Sequence, residues 1–158
     1  MIDLCQQPDV VPVAGSGKTL YAVRDEWRFE WWDILVIARP GYLFDGASIP
    51  RLLWPLGFTP DAPHRAAALA HDIGCEMQGL LVPGERWGTE CEWVLLGSAV
   101  ADDYQGVTHQ LTHTQVHHMW ADMLHQTQGQ NPFGAWLKAK AVQYFGPRWK
   151  NKYPAPQL

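Results

Sequence analysis

Two short runs of the chain gather residue types that do chemistry. One is Phe44-Asp45-Gly46-Ala47-Ser48-Ile49-Pro50-Arg51; the other, about 26 residues after Asp45, is the pair His71-Asp72. An imidazole beside a carboxylate can activate water as a general base, an effect worth roughly 10²–10⁴-fold in rate. The same residue types, His71, Asp72 and Asp122 or a nearby histidine, can make an open mixed nitrogen and oxygen site for zinc. Gly46 and Pro50 can bend their loop so that Asp45 points inward, and Ser48 or Asp45 can satisfy free backbone N–H groups. Farther on, His118, Asp122 and His125 fall at i, i+4, i+7, one helical stripe from which Asp122 could reach a neighbouring helix. A second reading stays open. A His-Asp pair on an Ala-rich helix, an acid opposite it and Arg51 pairing with Asp72 or Asp122 would also make a buried polar network that pins a loop to helices.

Other signals are weaker. Ala14-Gly15-Ser16-Gly17-Lys18-Thr19 ends like a phosphate-binding loop, but Pro12 stands where its first glycine belongs and a strand pattern, not a helix, follows. A Gly-rich turn opening a strand accounts for it. Five of the seven histidines lie between 109 and 125, yet His113 and His117 enclose no HExxH glutamate, so these read as solvated helix-face residues. Cys75, four residues after His71, reads as a small buried hydrophobe, with a Cys-His nucleophile as the sharper alternative. The acids Glu85, Glu90, Glu92, Asp102 and Asp103 read as the wet side of a helix, and the basic C-terminal residues as at most a docking surface for an acidic partner.

The elements that must position these residues follow from periodicity. Residues 1–16 read as an irregular arm. TLYAV, WRFEWW and ILVIA, between 17 and 48, have the two-residue alternation of three short antiparallel strands closed by Pro40-Gly41. Tyr42–Pro63 is too rich in Gly and Pro to be regular and too apolar to be free, which describes a packed, functional loop. Four helices are expected: 64–78, about 85–104, about 111–128 with Val116, Met119, Trp120 and Met123 inward, and 133–145, broken by Gly146-Pro147. The fold class is therefore α+β, a small antiparallel meander, an ordered loop and a bundle of about four helices in one domain over 17–147, with 148–158 a loosely held tail.

Composition limits the function. At 158 residues and 47% hydrophobic the chain can bury a core without metal or disulfide staples. Twelve basic against sixteen acidic residues leave a net charge of −4, a poor footprint for nucleic acid. Three cysteines, Cys5, Cys75 and Cys91, without a CxxC pair indicate neither a disulfide framework nor a thiolate zinc site, and point to a reducing cytosol. No signal-peptide core or membrane-spanning apolar run is expected. Nine tryptophans are the outlier. Trp54 and Trp120 are expected to wall the His/Asp site. Trp31, Trp32, Trp87 and Trp93, on a strand and a helix that cannot bury every face, are expected to form a partner surface.

FDGASIPRLLW at 44–54, AAALAHD at 66–72, WAD at 120–122 and AKAVQYFG at 139–146 resemble the pattern of a phage and prophage family, the domain of unknown function DUF1353, over about residues 17–147. The chain departs from that pattern in having Ile73-Gly74-Cys75 where the family has a tyrosine-containing segment, and in an enlarged stretch at 80–110. The order of residues is also similar, more weakly, to the His-Asp site of secreted phospholipase A2. That likeness implies His71 as general base, Asp72 as cation ligand, Asp122 as the acid orienting His71, and Asp45 as a further ligand or loop anchor. The expectation is a phage- or prophage-encoded protein with a His/Asp site, a metal-assisted hydrolase of an ester or amide using calcium or zinc. The alternative is a tail or baseplate component in which the same residues hold the fold. Partners would be other virion proteins or a host protein, met in the host cytoplasm or in the virion.

Overall fold

The structure, a computed structural model, describes residues 7–14, 20–45, 65–96, 105–128 and 131–154. Gly46, Ser48, Pro50, Arg51 and Trp54 lie outside the described residues.

Eight strands and three helices are present among them. In chain order they are β1 (Val10–Val13), β2 (Leu20–Val23), β3 (Trp27–Trp31), β4 (Ile34–Ala38), β5 (Leu43–Phe44), α1 (Arg65–Glu76), β6 (Leu80–Leu81), β7 (Cys91–Leu95), β8 (His109–Gln110), α2 (His113–Gln128) and α3 (Pro132–Phe145). The α+β class holds, with all strand pairs antiparallel, but the single meander is replaced by three small sheets ordered β1-β2-β5, β3-β4-β7 and β6-β8. Val10–Val13, expected within an irregular arm, pairs with Leu20–Val23, so Pro12 sits on an edge strand, where its missing N–H costs no ladder bond.

The alternation in β3 decides one of the tryptophan questions. Trp27, Phe29 and Trp31 point inward and stack in succession, with ring centroids 5.4 and 6.1 Å apart, while Arg28 points out. Trp31 is thereby buried and cannot serve a partner surface. Trp32 falls on the turn to β4 in the left-handed region (φ 51°) and is 60% exposed.

The helix expected over 85–104 is corrected. Cys91–Leu95 is a strand beside β4, in register Val36↔Trp93 and Ile37↔Glu92. All five residues of β4 are buried, so its second edge needs a backbone partner, and the run CEWVL supplies one where Gly88 (φ 85°) has already interrupted helical geometry. Trp93 is 0% exposed and lies against α1, a further correction to the expected partner surface. A Cβ built on Gly74 would come within 2.4 Å of the Trp93 ring, so the glycine is what allows helix and strand to approach. Glu92, expected on a wet helix face, is fully buried. Its carboxylate accepts from Arg39 Nη2 at 2.5 Å and from the Arg86 N–H at 2.9 Å, and Arg39 also donates to the Thr89 carbonyl at 2.9 Å. This ion pair fastens the 83–90 connection to the sheet.

The core lies between β3-β4-β7 and the face of α1 and α2 that carries Leu69, Ile73, Val116, Trp120 and Met123, and α3 packs against α2 through Ala135, Ala139 and Val142. Asn131 caps α3, its side chain accepting from the Gly134 N–H at 2.7 Å, ahead of Pro132 at the first helical position. After α3 the chain returns over β8: Trp149 Nε1 donates to the Leu111 carbonyl at 3.0 Å and Asn151 Nδ2 to the Gln110 carbonyl at 2.8 Å. No helix among the described residues is long and apolar enough to cross a membrane.

Candidate functional site

Helix α1 is built to bring a polar pair to close quarters. Its run of Ala66, Ala67, Ala68 and Ala70 has no bulk to hold a neighbour away, so α2 packs tightly and His71 is buried with it. The residue opposite is His117, not Asp122. His71 Nε2 and His117 Nδ1 are 2.9 Å apart, and the Trp120 ring lies 5.0 Å from that of His71. Beside them on α1, Asp72 Oδ1 is 3.6 Å from His71 Nδ1, and Cys75 Sγ is 3.5 Å from His71 Nε2. Asp72 Oδ2 is buried without a hydrogen-bond partner among the described residues.

Above this floor opens a cavity of about 430 Å³ whose lining includes Asp45, His71, Asp72, Cys75, Glu76 and Trp120. Tyr42 borders it, its hydroxyl donating to Glu76 Oε2 at 2.7 Å. Of the expected site residues, the fold brings together Asp45, His71 and Asp72, with Trp120 as a wall.

Asp122 is excluded from the site. It is exposed on the outer face of α2, where it lines a groove with Trp32 and His118. At 100° per residue, position 122 stands 200° around the helix from Trp120, which faces α1, so the stripe of His118, Asp122 and His125 looks away from His71. The role of orienting acid is thus corrected. His117, expected on a solvated face, is sealed from water. The signal for it was in the sequence: position 117 is i−3 from Trp120 and i+1 from Val116, both inward residues.

Burial sets the protonation of the cluster. It pushes the His71 pKa down to about 3, helped by His117, and that of His117 to about 4, where the Pro147 carbonyl acts the other way and His113, His118 and Arg148 add to the lowering. Neither ring is open to solvent. Burial raises the Asp72 carboxyl well above the usual carboxylate range, with Asp45 and Glu76 contributing through their charge. The Cys75 thiol is pushed up to about 12 by burial and by Asp72. Near neutral pH the floor therefore holds two neutral imidazoles and a thiol, beside a carboxyl whose affinity for a proton is raised.

This changes the chemistry each group can do. His71 is a poor general base, because its basicity is depressed and Nε2 already faces His117. Asp72, its affinity for a proton raised by burial and with one oxygen unpaired among the described residues, is the better proton carrier. Among the described residues, the group of side chains whose ligand atoms lie close enough to hold a metal is His71, Cys75 and His117. Asp45, Asp72 and Asp122 do not form such a set.

Of the four expected partner-surface tryptophans only Trp87, 99% exposed, and Trp32 remain on the surface. Helix α3 adds exposed Phe133, Trp136, Tyr144 and Phe145, which the reading by tryptophan alone had passed over.

Residues 21–142 match the model of a family described as a protein of unknown function (DUF1353). No curated protein and no solved structure matches the chain significantly.

Proposed function

We propose, from the geometry of its buried polar floor, that this chain, which belongs to the DUF1353 family, is a hydrolase that opens an ester or amide in the cavity above His71 and Asp72. The observation that carries the reading is Asp72. Its Oδ2, buried without a partner among the described residues, costs stability, and such a cost is met at working sites more often than in structural networks, whose members are satisfied. Asp72, ionised in the working form, takes a proton from a water in the cavity. The hydroxide adds to the substrate carbonyl, the carbon–oxygen or carbon–nitrogen bond breaks, and Asp72 returns the proton to the leaving group. His71, 3.6 Å from Asp72 Oδ1, positions the carboxyl, and Trp120 keeps other water from the floor. The family resemblance supports a phage or prophage setting.

The test is Asp72→Asn, which keeps shape and removes the base. Purified wild-type and variant protein are compared on a panel of chromogenic esters and aminoacyl amides, with thermal melting as the fold control. A loss of about 10²-fold or more with unchanged or raised melting temperature supports the assignment. Equal rates, or no turnover of any panel member by the wild type, count against it.

A second reading has its own observation. Trp87 is 99% exposed, and an aromatic of that size held in water is unusual unless a partner covers it. Under this reading the protein is a virion component or binds a host protein, and the polar floor holds the fold. Trp87→Ser would then abolish co-purification with assembled particles while leaving any hydrolysis unchanged.

A further inference from the structure

We propose that His71 Nε2, His117 Nδ1 and Cys75 Sγ are the three protein ligands of a zinc ion whose fourth position opens toward the cavity. This deepens the hydrolytic reading, since a zinc-bound water there would be the nucleophile that Asp72 deprotonates.

The geometry comes from two helices. His71 and Cys75, at i and i+4, project from one face of α1, and α2 delivers His117 opposite them, so that the ligand atoms of all three lie within 4.8 Å of one another. Tetrahedral zinc, with bonds of about 2.0–2.1 Å to nitrogen and 2.3 Å to sulfur, sets nitrogens about 3.3 Å apart and sulfur slightly farther from each. The present separations are 2.9 Å between the nitrogens and 3.5 Å from Sγ to His71 Nε2. Both are within a few tenths of an ångström of the tetrahedral values, and the third, from Sγ to His117, is within 4.8 Å.

A second observation points the same way. A histidine that ligates zinc through one nitrogen ordinarily donates its other N–H to a carboxylate, which fixes the tautomer and raises the ligand's basicity. Asp72 Oδ1 stands 3.6 Å from His71 Nδ1 in that position, and its Oδ2 is buried without a partner. The ion would displace the Cys75 proton to solvent and hold the thiolate. Two nitrogens and a sulfur suit borderline-soft zinc and do not suit calcium, which takes six to eight oxygens. This replaces the carboxylate-rich cation site expected from the sequence.

Metal binding is measured apart from hydrolysis. Full-length protein is stripped with chelator, reconstituted with zinc, desalted and analysed for metal; cobalt(II) is then substituted and its visible and near-ultraviolet spectrum recorded. The expected result is one zinc per chain and a thiolate-to-cobalt charge-transfer band. Cys75→Ser, at a half-buried position that tolerates the change, should lose that band and weaken zinc at least tenfold while still melting cooperatively. Asp72→Asn should weaken zinc about 10–100-fold with the band retained. Less than stoichiometric zinc in reconstituted wild type overturns the proposal, and so does a cobalt spectrum that Cys75→Ser leaves unchanged, which would place the metal on surface histidines. Stoichiometric zinc without turnover keeps the metal site and removes the hydrolase; turnover by the stripped protein does the reverse.

Discussion

Acid should unfold the metal-free protein through its buried imidazoles. His71 has an ordinary pKa of 6.5 in the unfolded chain and about 3 when folded, so between these values the unfolded state binds the extra proton. Stability is therefore complete above pH 6.5 and falls as the pH drops toward 3. Each unit costs about 1.4 kcal/mol, so at about pH 4.5 His71 alone removes about 2.7 kcal/mol. His117 acts in the same direction down to about 4, its shift held back by the Pro147 carbonyl. Asp72 opposes both, since its raised carboxyl keeps its proton in the fold and the penalty of its charge disappears in acid. The His71 contribution of about 2.7 kcal/mol is by itself large against the 5–15 kcal/mol of a typical domain. Urea unfolding with chelator present, followed by tryptophan fluorescence at pH 7 and 4.5, measures it. Imidazole Cε1–H resonances followed through the same range locate the groups. If the His71 and His117 resonances titrate near pH 6.5 in the folded state, or if stability is flat between the two pH values, the account of the buried pair is refuted.

Three further outcomes follow from the packing. Gly74→Ala should destabilise by about 1–2 kcal/mol, because the clash with the Trp93 ring outweighs the helix-propensity gain of about 1 kcal/mol, lowering the melting temperature by several degrees; Trp93→Leu in the same chain should recover part of it. Arg39→Met leaves the Glu92 carboxylate buried with the loss of its charged partner 2.5 Å away, and should cost about 3 kcal/mol by denaturant titration. Tyr42→Phe removes the 2.7 Å bond to Glu76 at the cavity rim and should cost about 1 kcal/mol in the same titration.

Local pattern was enough for part of this protein. The alternation in WRFEW gave β3 its buried Trp27, Phe29 and Trp31, and the apolar spacing of 116, 119, 120 and 123 gave α2 its inward face. Alternation read one strand at a time also made the error over Trp31, whose side of the sheet is the covered one. CEWVL carries no information about its partner. It is a strand because β4, buried on both faces, has an open edge, and that need is visible only once β4 is placed. The DGASIPR loop, which drew attention to the site first, is represented among the described residues by Asp45 alone of its polar members.

The sequence by itself determined that His71 and Asp72 share an Ala-rich helix, because neighbours in a chain and on a helix face are fixed by peptide geometry. Tertiary structure decided which residue His71 meets. Asp122 and His117 are both within reach of α1 by spacing, and only the rotation of α2 about its own axis, set by burying Val116, Trp120 and Met123 together, turns the histidine inward and the aspartate to water. That rotation replaces a carboxylate-oriented base by a neutral imidazole pair beside a thiol, a change of chemistry made by packing.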